Sequence, residues 1–213
     1  MLSDNMFMGA STEQGYDIAK KSREIVQSLI KDDIEGLPPA EKDIVERIVH
    51  STADAEYAKL VSISSDFVEN SLKSIKNNED ILTDINMVKS GITRYDGNVD
   101  CFIKNPKVIE IAKNQKITRA AAAIEFVANN DFKGIIVVGN APTALYKAIE
   151  LESSGRLDIA SIVGVPVGFV GAADSKEMLQ NSSIPNIITK GPKGGTPVAV
   201  ACVNSLIQTM KKD

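Results

Sequence analysis

The chain has a single histidine, His50, in the run Arg47-Ile48-Val49-His50-Ser51-Thr52-Ala53-Asp54, which sets an imidazole among several short polar side chains. An imidazole titrates near neutrality, so it can donate or accept a proton without help from a cofactor. Near a helix end it also has a simpler use, as a cap or surface residue favoured by the helix dipole. Ser22 is the second candidate, lying between Ile18 and Val26 on the apolar side of a helical pattern. A serine there either satisfies its hydroxyl inside the core or faces a ligand. The pairs Thr93-Arg94 and Thr118-Arg119 each follow a turn. Arginine suits bidentate contact with a carboxylate, although at a helix start it is commonly just solvated. Two apolar runs then end in glycine-rich loops, Gly139-Asn140-Ala141-Pro142-Thr143 and the stretch from Pro166 through Gly168 and Gly171 to Ala172. Backbone N–H groups at such strand ends and helix N-termini receive anionic ligands. Their plainer readings are tight turns and, for Asn140, a helix cap.

These groups need elements to hold them. Ile18, Ile25, Val26, Leu29 and Ile30 recur at helical spacing and predict an amphipathic helix, broken by Asp32-Asp33 and Gly36-Leu37-Pro38-Pro39. Pro38 or Pro39 starts the next helix, whose stripe of Ile44, Val45, Ile48 and Val49 leaves His50 beside it near the C-terminus. Lys59 to Ser64 reads as a strand or connector, and Ser65-Asp66 caps a helix through Phe67, Val68, Leu72 and Ile75. Ile81 to Val88 and Val99 to Ile103 read as strands, while Asn105-Pro106 and Thr118-Arg119 open two helices. Ile135 to Val138 is a β-branched run suited to a strand buried on both faces. Asn140 is placed as the cap of a helix from Thr143 to Ser154 that Gly155 ends. Ile159 to Val165 and Ile187 to Thr189 are further strands, Asp174-Ser175 starts a helix, and Gly194-Gly195-Thr196 leads into the last one. The alternation predicts an α/β fold: three layers, α/β/α, with a mainly parallel, Rossmann-like sheet flanked by helices. A single domain is expected over 12–213, with residues 1–11 frayed and disordered.

Composition removes several functions. The 24 Lys and Arg against 28 Asp and Glu give a net charge of -4, so no basic field favours nucleic acid or an anionic membrane. No apolar run reaches the roughly 18 residues of a membrane helix. Cys101 and Cys202 are far apart, without CxxC spacing or a preceding signal peptide, and point to a reduced, cytoplasmic protein. One histidine and two distant cysteines exclude a Cys/His zinc cluster and leave only an all-oxygen metal site open. Gly164, Gly168 and Gly171 do not make GxGxxG, Lys190 to Gly195 does not make GxxxxGK[ST], and no GxSxG occurs.

Five blocks resemble one known family: GNAPTALYKAIELESSGR from Gly139, IVGVPVGFVGAADSKE from Ile162, KGGTPVAVACVN from Lys193, RIVHSTADAEYAKLVSIS from Arg47, and ITR ending at Arg94. They look like precorrin-8X methylmutase, also called cobalt-precorrin-8 methylmutase, of cobalamin biosynthesis. The resemblance implies a cytoplasmic, cofactor-free isomerase without a metal site, homo-oligomeric with a dimer as the simplest form. Its reaction would move a methyl group from C-11 to C-12 of precorrin-8X or cobalt-precorrin-8, giving hydrogenobyrinate or cobyrinate. It also implies His50 as the catalytic proton or hydrogen-bond donor and Ser22 as a substrate-contacting residue. Thr93, Arg94 and Arg119 would take the peripheral acetate and propionate groups. The N–H groups of Gly139, Asn140 and Ala141 and of Gly168, Gly171 and Ala172 would supply further donors to this polyanion. Where many members read Arg-Gly-Arg-x-Gly-Gly, this chain has Lys190-Gly191-Pro192-Lys193-Gly194-Gly195, which loses the guanidinium forks and one N–H. A corrinoid carrier that transforms nothing is the alternative, but carriage needs no acid at position 50.

Overall fold

The computed structural model describes residues 12–211, so the segment expected to fray, 1–11, lies outside them. One six-stranded sheet runs through the middle in the order β1-β6-β5-β4-β2-β3. β2 (Asp80–Thr83), β3 (Val99–Asp100), β4 (Lys133–Val138), β5 (Asp158–Gly164) and β6 (Asn186–Thr189) are parallel, and β1 (Val61–Ile63) joins the β6 edge antiparallel. Alternate residues of each strand face opposite layers. Ile81, Ile135, Val137, Val163 and Ile187 belong to one core, with α2 (Pro39–Thr52), α4 (Phe67–Lys76), α5 (Asn86–Gly91) and α10 (Thr196–Met210). Leu82, Ile136, Val138, Ile162 and Ile188 belong to the other, with α7 (Arg119–Ala128), α8 (Pro142–Ser153) and α9 (Ala172–Gln180). α1 (Glu13–Ile34) packs outside α2 beside the short α3 (Tyr57–Leu60), and α6 (Pro106–Gln115) packs outside α7. This is the three-layer architecture the alternation predicts.

The strand order marks a particular place. The chain goes from β2 to β3 at one edge, then crosses back to set β4 on the other side of β2. The carboxyl ends of β2 and β4 therefore flank the point where the winding reverses, which in open α/β sheets is the crevice that receives ligands.

Three elements differ from expectation. The run Ile81 to Val88 is not one strand: β2 stops at Thr83 and α5 begins at Asn86, burying Val88 and leaving Met87 exposed. The strand ends where Asp84 turns its carboxylate to the neighbouring strand end. β3 covers only Val99–Asp100. α1 continues through Asp32-Asp33 because Ile34 extends the buried row of Ala19, Val26 and Ile30. Ile18, Ile25 and Leu29, from the same apolar stripe, stay more than half exposed.

Candidate active site

His50 is placed by two helices. α2 starts at Pro39, whose missing N–H costs nothing in a first turn, and it buries Ile44, Val45, Ile48 and Val49. It ends just past Thr52, at Ala53 in the left-handed region (φ 53°), so His50 occupies its last turn. α1 is locked against α2 by polar pairs. Arg23 Nε donates to Glu46 Oε2 at 2.7 Å, Arg23 also pairs with Asp43, and Gln27 Nε2 donates to Glu46 Oε1 at 3.0 Å. Glu46 is buried, and those donors offset the cost of its charge.

This docking brings Ser22 to His50. Ser22 Oγ and His50 Nδ1 share a hydrogen bond of 2.7 Å. The hydroxyl can donate to a neutral Nδ1 or accept from a protonated one, so the ring keeps one orientation through a proton transfer and Nε2 is left for a ligand. Burial, then the charge of Arg47, push the imidazole below its ordinary pKa. The pair opens onto a cleft of about 420 Å³ walled by Ile18, Ile25, Leu29, Val49 and Ala55, with Lys21 at its margin. The exposed apolar side of α1 is thus the wall of the histidine site.

The arginines fall on two layers. Arg47 Nη1 donates to Gln208 Oε1 at 2.8 Å across α2 and α10, and its own pKa is lowered by burial and then by the charge of nearby Arg94. Thr93 precedes Arg94, and Asn204 accepts the Thr93 N–H at 3.0 Å while donating to Gly91 O. Arg94 is held at φ 63°. Arg119 instead opens α7 on the opposite face of the sheet, exposed. Its neighbour Thr118 caps α7 through Ala121 N–H and shares a 2.6 Å hydrogen bond with Thr143 of α8, which puts Arg119 at the carboxyl edge of the sheet.

The glycine loops require correction. Asp84 accepts the N–H groups of Gly139 at 3.0 Å, Asn140 at 2.8 Å and Ala141 at 2.7 Å. The anion in this backbone nest is the protein's own carboxylate, 3% exposed, so these three N–H groups are not the substrate donors the sequence implied. Asn140 does not cap α8 either; Ala141 is the cap position, and the Asn140 side chain is exposed. Gly168 N–H is also committed, to Pro192 O at 3.0 Å. Gly171 (φ 74°) turns the chain into α9, with Ala172 buried behind it. Lys193, in the segment that departs from the family pattern, sets its ammonium against Asp54 at 2.6 Å and Glu56 at 2.7 Å. Asp84, which fills the backbone nest, and Arg47, whose charge bears on His50, are the residues here that sequence reasoning missed.

The model of one family, described as precorrin-8X methylmutase, matches residues 17–209, from the helix that carries Ser22 to the last turn of α10. The chain belongs to the precorrin-8X methylmutase family. A relative from Methanothermobacter thermautotrophicus named cobalt-precorrin-8 methylmutase is 57% identical, over 96% of this chain and 98% of that protein. One of the same name from Salmonella typhimurium is 34% identical, over 94% and 98%. A solved structure of the Thermus thermophilus precorrin-8X methylmutase superposes with a TM-score of 0.82 at 33% identity, covering 92% of this chain and 97% of that one. The methylmutase fold thus spans both the His50 cleft and the switch point that Asp84 fills.

Proposed function

We propose that this methylmutase, an isomerase, moves a methyl group from C-11 to C-12 of a corrinoid ring, with His50 as the proton or hydrogen-bond donor. The observation that carries the histidine's role is the 2.7 Å pairing of Ser22 with His50 at the head of an apolar cleft. A proton or hydrogen bond delivered from Nε2 to the macrocycle draws electron density from the ring and lets the methyl migrate. The reaction is an internal transfer, and a proton given to the ring returns to the imidazole once the methyl has moved, so atoms and electrons balance without an added cofactor. A positioned acid of this kind contributes about 10²- to 10⁴-fold, and holding the macrocycle in a reactive conformation supplies much of the rest. Ile18, Ile25 and Leu29 offer the hydrocarbon face of the ring an apolar wall, while Ser22, Thr93, Arg94, Arg119 and the Asn140 side chain take its polar periphery. Local guanidinium donors of this kind let a chain of net charge -4 bind a polycarboxylate.

The substrate proposed is cobalt-precorrin-8, with cobyrinate as product, because relatives at 57% and 47% identity bear that name. A cytoplasmic homodimer completes this reading; no helix among the described residues is long and apolar enough to cross a membrane. A carrier that only holds the corrinoid is the competing reading, and an oriented imidazole in the cleft favours the isomerase. The test is to mix the protein with cobalt-precorrin-8 or precorrin-8, with no cofactor added, and follow the visible spectrum and the mass. Conversion to a new corrin spectrum at unchanged mass, lost in His50→Ala while binding persists, is the expected result. A stoichiometric shift that reverses on denaturation would establish carriage, and full activity in His50→Ala would remove the histidine from the mechanism.

A further inference from the structure

The loop after β6 is fastened to the turn that follows His50 at several points. Lys193 Nζ lies 2.6 Å from Asp54 Oδ2 and 2.7 Å from Glu56 Oε2. Next to it, Tyr57 donates from its hydroxyl to Gly194 O at 3.2 Å, and Ser51 Oγ reaches Pro197 O at 3.5 Å. The loop's other side is rigid. Buried Lys176 donates to Lys193 O at 2.7 Å and to Thr189 Oγ1 at 3.2 Å, and Thr189 Oγ1 donates to the same Lys193 carbonyl. Gly195 N–H donates to Val165 O at 2.8 Å. A side chain at position 194 would meet that carbonyl at 2.3 Å, so only glycine (φ 159°) lets the loop press against the end of β5.

The turn that receives Lys193 has hydrogen bonds of its own, Asp54 N–H to Thr52 Oγ1 at 3.3 Å and Glu56 N–H to Asp54 Oδ1 at 3.0 Å, but these are local and do not tie it to the sheet. The turn leaves α2 through Ala53, a residue with a Cβ in the left-handed region, where L side chains are disfavoured. Ala53 and Ala55 both wall the cleft. A rigid loop on one side and a strained turn on the other meet through the Lys193 ammonium and two carboxylates, with the Tyr57 hydroxyl on Gly194 O beside them.

We propose that Lys193 is a positioning residue for His50: its double ion pair fixes the 53–56 turn and so holds the last turn of α2, and the imidazole on it, against Ser22. This assignment rests on the proposed role of His50. It separates Lys193 from a direct substrate contact, because its charge is paired with two carboxylates of the same chain. The pairs are partly exposed, so each contributes little stability; their effect lies in geometry, where an ångström matters to rate.

The experiment compares the tag-free wild-type protein with Lys193→Met and Lys193→Arg. Because His50 is the one histidine, every imidazole signal in a ¹⁵N spectrum is its own. Expected at pH 8 for the wild type are well-separated Nδ1 and Nε2 shifts, the signature of the Nε2–H tautomer that the proposed donation from Nε2 requires and in which Ser22 donates to Nδ1. In Lys193→Met the two shifts converge and kcat falls by about 3- to 10-fold with KM within about twofold; Lys193→Arg restores both. A loss confined to KM would make Lys193 a substrate contact and overturn the proposal. An unchanged imidazole spectrum in Lys193→Met would overturn it as well. If His50→Ala turned over normally, the catalytic reading would fail on its own, while the ring spectrum would still decide whether Lys193 positions the imidazole.

Discussion

At the scale of single residues, the proposed role of His50 makes its protonation the first thing to follow. Its pKa lies below the ordinary histidine value, through burial first and the charge of Arg47 second. Between that value and the ordinary one the unfolded chain binds more protons than the folded one. Stability at His50 is therefore lost as pH falls through this window, and it is unaffected above it. Catalysis runs the other way, since an acid must hold its proton. We expect kcat/KM, which reports the free enzyme, to fall as pH rises from a midpoint below the usual histidine range. The limb of kcat should lie at higher pH, because the substrate's carboxylates favour an imidazolium in the complex. Coincident limbs would mean that no substrate carboxylate comes near His50, and a pH-independent rate would remove proton donation from the mechanism. Lys176 shows the contrast: burial alone brings its amine down to about 8, yet its acceptors are a hydroxyl and a carbonyl of the loop it secures.

At the scale of elements, Asp84 joins the end of β2 to the start of α8 across the reversal of winding. Burial raises its carboxyl pKa, and the three N–H bonds pull it back. Asp84→Ala leaves three donors inside the protein without a partner, at about 1–3 kcal/mol for an unsatisfied group. A net loss of about 2–4 kcal/mol is expected, with Asp84→Asn losing less because it keeps one carbonyl acceptor. Urea unfolding reads this as a lower midpoint at unchanged slope; a midpoint equal to wild type would deny the carboxylate its structural role. The same residue shows where sequence reasoning stops. The helix starts at Pro39, Asn105-Pro106 and Thr118 and the strands at Ile135 and Ile159 were legible because proline, capping side chains and β-branched runs act locally. The pairing of Asp84 with Gly139–Ala141 was not, since it depends on β2 lying beside β4, and strand order leaves no local mark. Asn140 lies one residue before the cap position, Ala141, and its N–H is bound by Asp84, a pairing 56 positions apart that the local sequence does not mark. Ser22 with His50 needed the helix pairing set by Arg23 and Glu46, which helical spacing alone could not supply.

At the scale of the molecule, two groups stand out among the large apolar side chains that the described residues leave exposed. Ile18, Ile25 and Leu29 line the His50 cleft and have a use in the proposed complex. Val167 at 47%, Phe169 at 98% and Val170 at 89% exposure do not. They stand on a loop that is fixed rather than loose, since Val165 N–H is bound to Val138 O and Gly168 N–H to Pro192 O. A fixed loop cannot fold its own Phe169 away from water, so the apolar surface persists unless another molecule covers it. A second copy of the chain is the occupant that the proposed dimer supplies. An aromatic anchor at such an interface commonly carries 2 kcal/mol or more, about 30-fold in affinity. Sedimentation of the wild type should therefore show a dimer, with Phe169→Ser dissociating at concentrations at least about 30-fold higher than the wild type. The His50–Ser22 hydrogen bond lies within one chain, so the ¹⁵N signature of the imidazole should survive in the monomeric variant. A wild-type monomer at every concentration would withdraw the dimer, whereas a Phe169→Ser protein that associates like the wild type would keep the dimer and move its interface off this loop.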